Sequence, residues 1–595
     1  MLFQTNSYDE MKLEKILNIQ KDLTDSRFVF SDYNESNGIA TVKITTNQSE
    51  KYSGDADMVF RMDDGDVYSV WAPLHQYKRA LFPDWRSDFS FRTAANFGFP
   101  IMQFLDKKGN NICFFALVDF TSELQLKGGV NEASSKLSVT VTVKDCRPSY
   151  FDDYEAIAYC DNRNIPYYDA IADYQKYLLS LGHTPAPVPD SGYRRTYSSW
   201  YALQKNITQE KLLEQCKYAK QYGMDTVILD DGWQTPIYDI IQNGDKTAGD
   251  WEPYLPKFPD MKGLADDLHN MGMKLILWIG TTMIGCDSKH FDFFNGRFLY
   301  KKFEDGTVRM ADPRYKDIRE WYVDFLTDRM KRWNLDGFKL DFLDAFWTTE
   351  ESRTDYENMD YPNIGEAVAV MMNEVSESLR KINPNLLLEY RQSYIGPAMQ
   401  KTGNLFRVED CAYGSMFNRI NGIDLRLSVP NSAVHSDMLM WDYDASAEGC
   451  ADQLSNLLFI VPQISVRFDR LPEEHKKVLK FYLDFIDDNN DVLQHGKFVP
   501  LNPEAFYPVV YAQKDGKTIA GLYSSNMFTV PDSTDSLSVV NASGKEKIYI
   551  DFAENDFVGR KYEIYNCMGE IIADGTVSSV LNSYDIPHNG IIILK

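Results

Sequence analysis

The sequence predicts a multidomain α/β protein: a central (β/α)8 TIM barrel, an N-terminal β-sandwich and a C-terminal antiparallel β-domain. Three observations predict it. Between about residues 194 and 490, short apolar runs alternate with amphipathic stretches of helical period. Eight such units in roughly 300 residues favour a closed barrel over an open doubly wound sheet. On both flanks the text changes to period-2 alternation broken by Gly, Asn and Asp turns. The expected divisions are a sandwich over 1–152, a helical connector and Pro-rich linker over 153–193, a barrel over 194–491 and a β-domain over 492–595.

In chain order, FVFSDY, IATVKITT, DMVFRM, NICFFALVDF and LSVTVTVK read as sandwich strands. Residues 166–182 read as a helix, with Pro166 near its start and Gly182 after its end. Residues 183–192 carry three prolines and read as a stiff, extended linker. The eight barrel strands are expected over 194–203, 225–233, 274–280, 336–342, 385–392, 405–410, 435–441 and 463–469. Helices are expected in QEKLLEQCKYAKQYG, FPDMKGLADDLHNMG, KDIREWYVDFLTDRMKRW, GEAVAVMMNEVSESLRKI and EEHKKVLKFYLDFIDD. The text from FYPVVYAQ to IIILK returns to strands.

Composition narrows the function. With 62 basic and 87 acidic residues the net charge is −25, which repels nucleic-acid phosphates and anionic lipid. No run of five basic residues offsets it, and no 18-residue apolar run offers a membrane span. Neither nucleic acid nor membrane is expected as a partner. The eight cysteines form no CxxC and no zinc-finger spacing, so neither a structural metal nor a disulfide scaffold is expected. No phosphate-binding glycine fingerprint follows a strand, and no cofactor is expected. The N-terminal MLFQTNSYDEMKLEK lacks a basic and then apolar leader pattern, so a cytoplasmic location is expected. The 14% aromatic content fits a large core or a site for sugar rings, and composition does not choose between them.

In such barrels the chemistry stands at the C-terminal strand ends. There the sequence gathers Asp230, Asp231 and Trp233 on strand two, Trp278 on strand three, and Lys339 and Asp341 on strand four. Glu389 and Arg391 end strand five, and Arg407, Glu409 and Asp410 end strand six. His435, Asp437 and Trp441 follow on strand seven. Lys339 and Asp341 are two apart, so both point the same way, and an adjacent ammonium would favour an ionised carboxylate. Such a group suits a nucleophile, with Asp410 as the second carboxyl. Trp200, Trp233 and Trp278 offer faces for a sugar ring, and the DDGW acids offer acceptors for neighbouring hydroxyls. A lysine amid the acids disfavours a divalent metal. His75 and His435 are expected to be ordinary buried or capping histidines.

VILDDGW, FPDMKGLADDLHNMGMKLILW and DGFKLDFLDAF together resemble the α-galactosidase clan of retaining glycosidases, and most closely its glycoside hydrolase family 36 type. The resemblance covers the barrel, and its three-domain order fits the chain. It implies Asp341 as the nucleophile and Asp410 as the acid/base. It implies Asp230 and Asp231 as the pair that binds the galactose O4 and O6 hydroxyls. Lys339, Trp278, Trp200 and Arg407 are implied sugar contacts, with Trp233 beside them. An N-terminal-domain tryptophan often reaches the pocket in this family; Trp85 and Trp71 are the candidates. Two departures stand out. The first strand reads YSSWYAL, where relatives often carry Cys before the Trp. The R-x-x-D spacing ending at Asp410 is one residue shorter than the form associated with the family, which leaves Glu409 as the alternative acid.

The expected function is therefore an exo-acting retaining α-galactosidase on small α-galactosides or oligosaccharides. The same mechanism on another α-glycoside (an α-N-acetylgalactosaminidase or a raffinose-synthase-like transglycosylase) is the alternative. A non-catalytic carbohydrate-binding barrel is the alternative of another class. A homo-oligomer is left open.

Overall fold

The computed structural model describes residues 16–47, 54–62, 66–74, 77–144, 154–235, 244–355, 357–391 and 393–595. His75 lies outside them.

The first domain is a sandwich of a five-stranded and a six-stranded antiparallel sheet. Alternating apolar residues such as Val42, Met58, Phe60, Phe104, Phe115 and Val139 fill the space between them. Its last strand, Glu155–Asp161, pairs between Ile39–Thr46 and Asn111–Val118. The connector expected from 153 thus begins as a sandwich strand, because Ala156, Ala158 and Cys160 place an apolar face on that core. The helix Tyr167–Ser180 follows, one residue inside Pro166 and ending before Gly182.

The barrel strands, here β1 to β8, are Thr196–Ser198, Thr226–Leu229, Lys274–Gly280, Gly337–Asp341, Leu387–Arg391, Leu405–Arg407, Ala433–His435 and Gln463–Ile464. All pair in parallel, β8 pairs back onto β1, and single bridges at His435–Val461 and Leu439–Ile464 join β7 to β8. Each expected strand is present, most of them shorter. β1 stops at Ser198 because Trp200–Leu203 turns helical, and β7 lies at 433–435 rather than over 435–441. The helices are cut by local signals. Thr208, Asp260, Asn363 and Ser446 cap Gln209–Gln221, Met261–Asn270, Ile364–Ile382 and Ala447–Ser455 with side-chain oxygens. Asn334, left-handed at φ 55°, ends Lys316–Trp333.

The Pro-rich linker does more than span a gap. Val188 and Tyr193 pack against Ile228, Ile276, Leu387, Leu405 and Ala433, which closes the bottom of the barrel. A small sheet of Met283–Gly285, Phe298–Lys301 and Val308–Ala311, not foreseen in the sequence, is inserted after β3. The C-terminal domain has a seven-stranded and a three-stranded sheet. It is not purely antiparallel: Lys517–Leu522 pairs parallel to Ser536–Asn541, and Met527–Thr529 parallel to Lys547–Asp551.

The three domains meet at one buried point. Asp424 of the barrel helix Ser415–Ser428 accepts bonds from Trp71 Nε1 (2.8 Å) and Arg79 Nη2 (2.7 Å) of the first domain. It also accepts one from the Tyr507 hydroxyl of the last domain. Trp71 is therefore a junction residue and not a pocket residue.

Candidate active site

Inside the barrel the period of two sorts side chains into layers. At the bottom, Ile228, Ile276, Leu387, Leu405 and Ala433 are apolar and buried. Two residues further along the same strands stand Asp230, Trp278, Glu389, Arg407 and His435, with Lys339 in register beside Trp278 and Glu389. Two more bring Asp341, Arg391 and Asp437 to the rim. The strands thus change from apolar to charged in one step, at the end where (β/α)8 barrels carry chemistry.

Asp341 ends β4. The Trp278 indole N–H donates to its Oδ2 at 3.0 Å, the Phe342 N–H donates to its Oδ1 at 2.8 Å, and Arg391 Nε lies 3.2 Å from Oδ1. Burial pushes its carboxyl up, but Arg391, Lys339 and the indole outweigh that and hold it below its ordinary value. Lys339 does not touch Asp341 as its two-residue spacing suggested. Its ammonium is bonded to Asp230 Oδ2 at 2.7 Å, with both groups buried. The direct cation on Asp341 comes from the neighbouring strand.

Asp410 stands beyond β6, its side chain 56% exposed. Arg407 donates to it at 2.8 Å, and Arg391 Nη1 lies 3.7 Å from its other oxygen. One guanidinium, Arg391, thus touches both Asp341 and Asp410. Arg407 is buried beneath Asp410 rather than open to a ligand, and it bonds Asp437 with its other nitrogen. Burial raises Asp410, and the charge and bond of Arg407 pull it below its ordinary value. Glu409 differs: half-buried, it is pushed up by desolvation despite Arg391 and Arg407. β6 ends at Arg407, so the alternation of a strand does not sort Glu409 from Asp410.

Asp231 follows Asp230 and is held by Gln234 Nε2 at 2.6 Å and by Lys205 Nζ at 3.4 Å. Trp233 is fully buried, donates to the Trp278 carbonyl at 3.1 Å and packs edge-on against Trp333. It braces the loop and cannot be a sugar platform. Trp200 begins the turn after β1, and its neighbour Tyr201 donates to Asp437 at 3.1 Å. Trp85 is 64% exposed, and among the described residues no hydrogen bond or ring contact ties it to the barrel. His435 is neutral and structural: buried, pushed down to about 4 by desolvation, and bonded to the Gly192 carbonyl at 2.8 Å.

Sequence reasoning set Arg391 and Asp437 at strand ends without giving them a role, and it passed over Tyr394 and Asp344. Arg391 stood at an expected strand end, which was the available signal. Tyr394 (3.0 Å to Asp344) and Asp344 sit on loops after β5 and β4, where no period places them. Among the described residues no cluster of His, Cys, Asp and Glu has a metal-binding arrangement, and no helix is long and apolar enough to cross a membrane.

Residues 196–393, from β1 through β5, match the family model described as Melibiase. The similarity to Melibiase thus spans the first five barrel strands. The chain is 28% identical over 174 residues to alpha-galactosidase Mel36A of Lactobacillus acidophilus, covering 28% of this chain and 22% of that protein. It is 28% identical over 209 residues to the A type blood alpha-D-galactosamine galactosaminidase of Flavonifractor plautii, covering 31% of this chain and 18% of that one. The aligned stretches are thus well under two thirds of those relatives. Among solved structures, GH36 alpha-galactosidase AgaB of Geobacillus stearothermophilus superposes with a TM-score of 0.65 at 14% identity, over 96% of this chain and 80% of that one. AgaA of the same organism, solved in complex with raffinose, superposes at 0.63 and 13% over 96% and 81%. The three-domain fold is the one seen in those GH36 alpha-galactosidase structures.

Proposed function

We propose that this protein is an exo-acting retaining α-galactosidase that releases terminal α-D-galactosyl residues from oligosaccharides. The observation that carries the reading is the pairing at the rim. An ionised Asp341, aimed by Trp278 and Arg391, stands across one guanidinium from a second, solvent-reachable carboxyl, Asp410. The alpha-galactosidase relatives and the Melibiase match supply the sugar.

In the first step an Asp341 oxygen attacks the anomeric carbon, the bond to the leaving oxygen breaks, and Asp410 gives that oxygen its proton. In the second, Asp410 takes a proton from water, whose oxygen displaces Asp341 and restores the starting configuration. In this reading Asp230, held by Lys339, and Asp231, held by Gln234 and Lys205, accept bonds from the far hydroxyls of the ring. Hydrolysis of nitrophenyl α-galactoside, followed by proton NMR, tests this. α-Galactose is expected to form first; β-galactose as first product, or no turnover, overturns the reading.

Two observations favour second readings. The Flavonifractor plautii relative is named for galactosamine, so a panel of nitrophenyl α-galactoside, α-galactosaminide and α-N-acetylgalactosaminide decides the sugar. Glu409 is raised while Asp410 is lowered, which suits Glu409 better as a resting proton donor.

A further inference from the structure

Lys257 lies on the loop between β2 and the helix Met261–Asn270, away from the reacting carboxyls, and is buried. Its ammonium donates to three backbone carbonyls: Lys205 (2.7 Å), Thr235 (3.0 Å) and Gly232. A lysine ammonium has three donors, so these carbonyls use all of them, and among the described residues no carboxylate accepts from it. The three carbonyls come from two loops, the turn after β1 and the DDGW loop after β2. Those loops are in contact already. Gly232 has φ +110°, and a Cβ there would meet Lys205 Cα at 2.7 Å, so only glycine allows the approach. Lys205 in turn reaches Asp231 with its side chain. Burial pushes the Lys257 ammonium down to about 8; Asp231 opposes this, and Lys205 and Lys211 add to it. A charge is kept here at a desolvation cost that its acceptors offset.

We propose that Lys257 is a positioning residue that pins the turn after β1 to the DDGW loop and so sets the Asp231 carboxyl at the sugar-facing rim. The kinetic consequence rests on the α-galactosidase reading; the clamp itself does not. Lys257 touches no substrate. Its removal loosens ground-state recognition through Asp231 and leaves Asp341 and Asp410 in place.

The test uses Lys257→Met, with Lys257→Gln as the milder variant if the first does not fold. Hydrogen exchange is read by mass spectrometry over residues 204–206 and 232–235, with the helix Lys316–Trp333 as internal control. Exchange at least about tenfold faster in both loops, with the control unchanged, is the expected result. Unchanged loops overturn the clamp, whether or not the wild type hydrolyses galactosides. On nitrophenyl α-galactoside, KM is expected to rise about tenfold with kcat within about twofold. Asp231→Asn combined with the Lys257 variant is expected to be no worse than Asp231→Asn alone. Additive losses, or a fall in kcat with KM unchanged, overturn the route through Asp231. A wild type inactive on every α-galactoside sinks the functional reading, and the exchange result still decides the clamp.

Discussion

Asp341 and Asp424 are surrounded by the same three side-chain types. Asp341 has Trp278, Arg391 and Tyr394; Asp424 has Trp71, Arg79 and Tyr507. Their chemistry nevertheless runs in opposite directions. The Asp341 side chain keeps 12% of its surface open at the rim, and Arg391 and Lys339 hold it below its ordinary value against burial. Asp424 is completely enclosed where three domains meet, and desolvation raises it despite Arg79. A set of donors does not make an active site. What separates the two is whether a ligand can reach the carboxylate, and how many charges beyond the first partner support ionisation.

The signs follow for stability. A depressed carboxyl contributes stability that is present above its unfolded value and is lost as pH falls through the lowered folded value. Asp341 belongs to that class. A raised carboxyl contributes stability below its unfolded value that is lost as pH rises through the folded one. Asp424 belongs to that class, so the junction weakens in a pH range where Asp341 is already ionised.

The comparison can be broken at its strongest point first. Asp341→Asn is expected to lower kcat about 10⁴-fold or more on nitrophenyl α-galactoside, with the unfolding midpoint within about 3 °C of wild type. A retained rate would place the nucleophile elsewhere. Next, Asp424→Ala is expected to cost about 3–5 kcal/mol in denaturant unfolding, because it strands Arg79 inside the protein. The folded fraction should keep kcat within about twofold, since the two sites share no partner. Loss of activity without loss of stability would erase the distinction between junction and site.

The proton donor comes third. Asp410→Asn is expected to slow hydrolysis of galactosides with poor leaving groups about 10²–10⁴-fold, and Glu409→Gln less than about tenfold. The reverse pattern moves the acid role to Glu409. The smallest effect sharpens the electrostatic half. Arg391→Gln removes the cation nearest Asp341, so the acid limb of the kcat/KM profile is expected to move up by about one unit. A limb that stays put would assign the low value of Asp341 to Lys339 and Trp278 instead.

Much of this was legible in the residues. Eight apolar runs with helices between them are a local pattern, and Asp230, Asp231, Lys339, Asp341 and Asp410 stand at or just beyond strand ends that this pattern predicts. Charge partners were not legible. Two-residue spacing put Lys339 beside Asp341 along one strand, yet its ammonium reaches past β3 to Asp230 at the end of β2. Trp71 and Trp233 looked like pocket candidates and are both buried.

The sequence by itself determined the order of domains, the barrel and the rim that carries the acids, because periodicity and strand-end position act over a few neighbouring residues. Only the tertiary structure decided which cation serves which carboxylate, which tryptophans are walls and which are core, and where Lys257 finds its three carbonyls. Those depend on strand stagger and on loops that meet across long stretches of chain. Over such distances burial and Coulomb energy are set by enclosure, which no local pattern encodes.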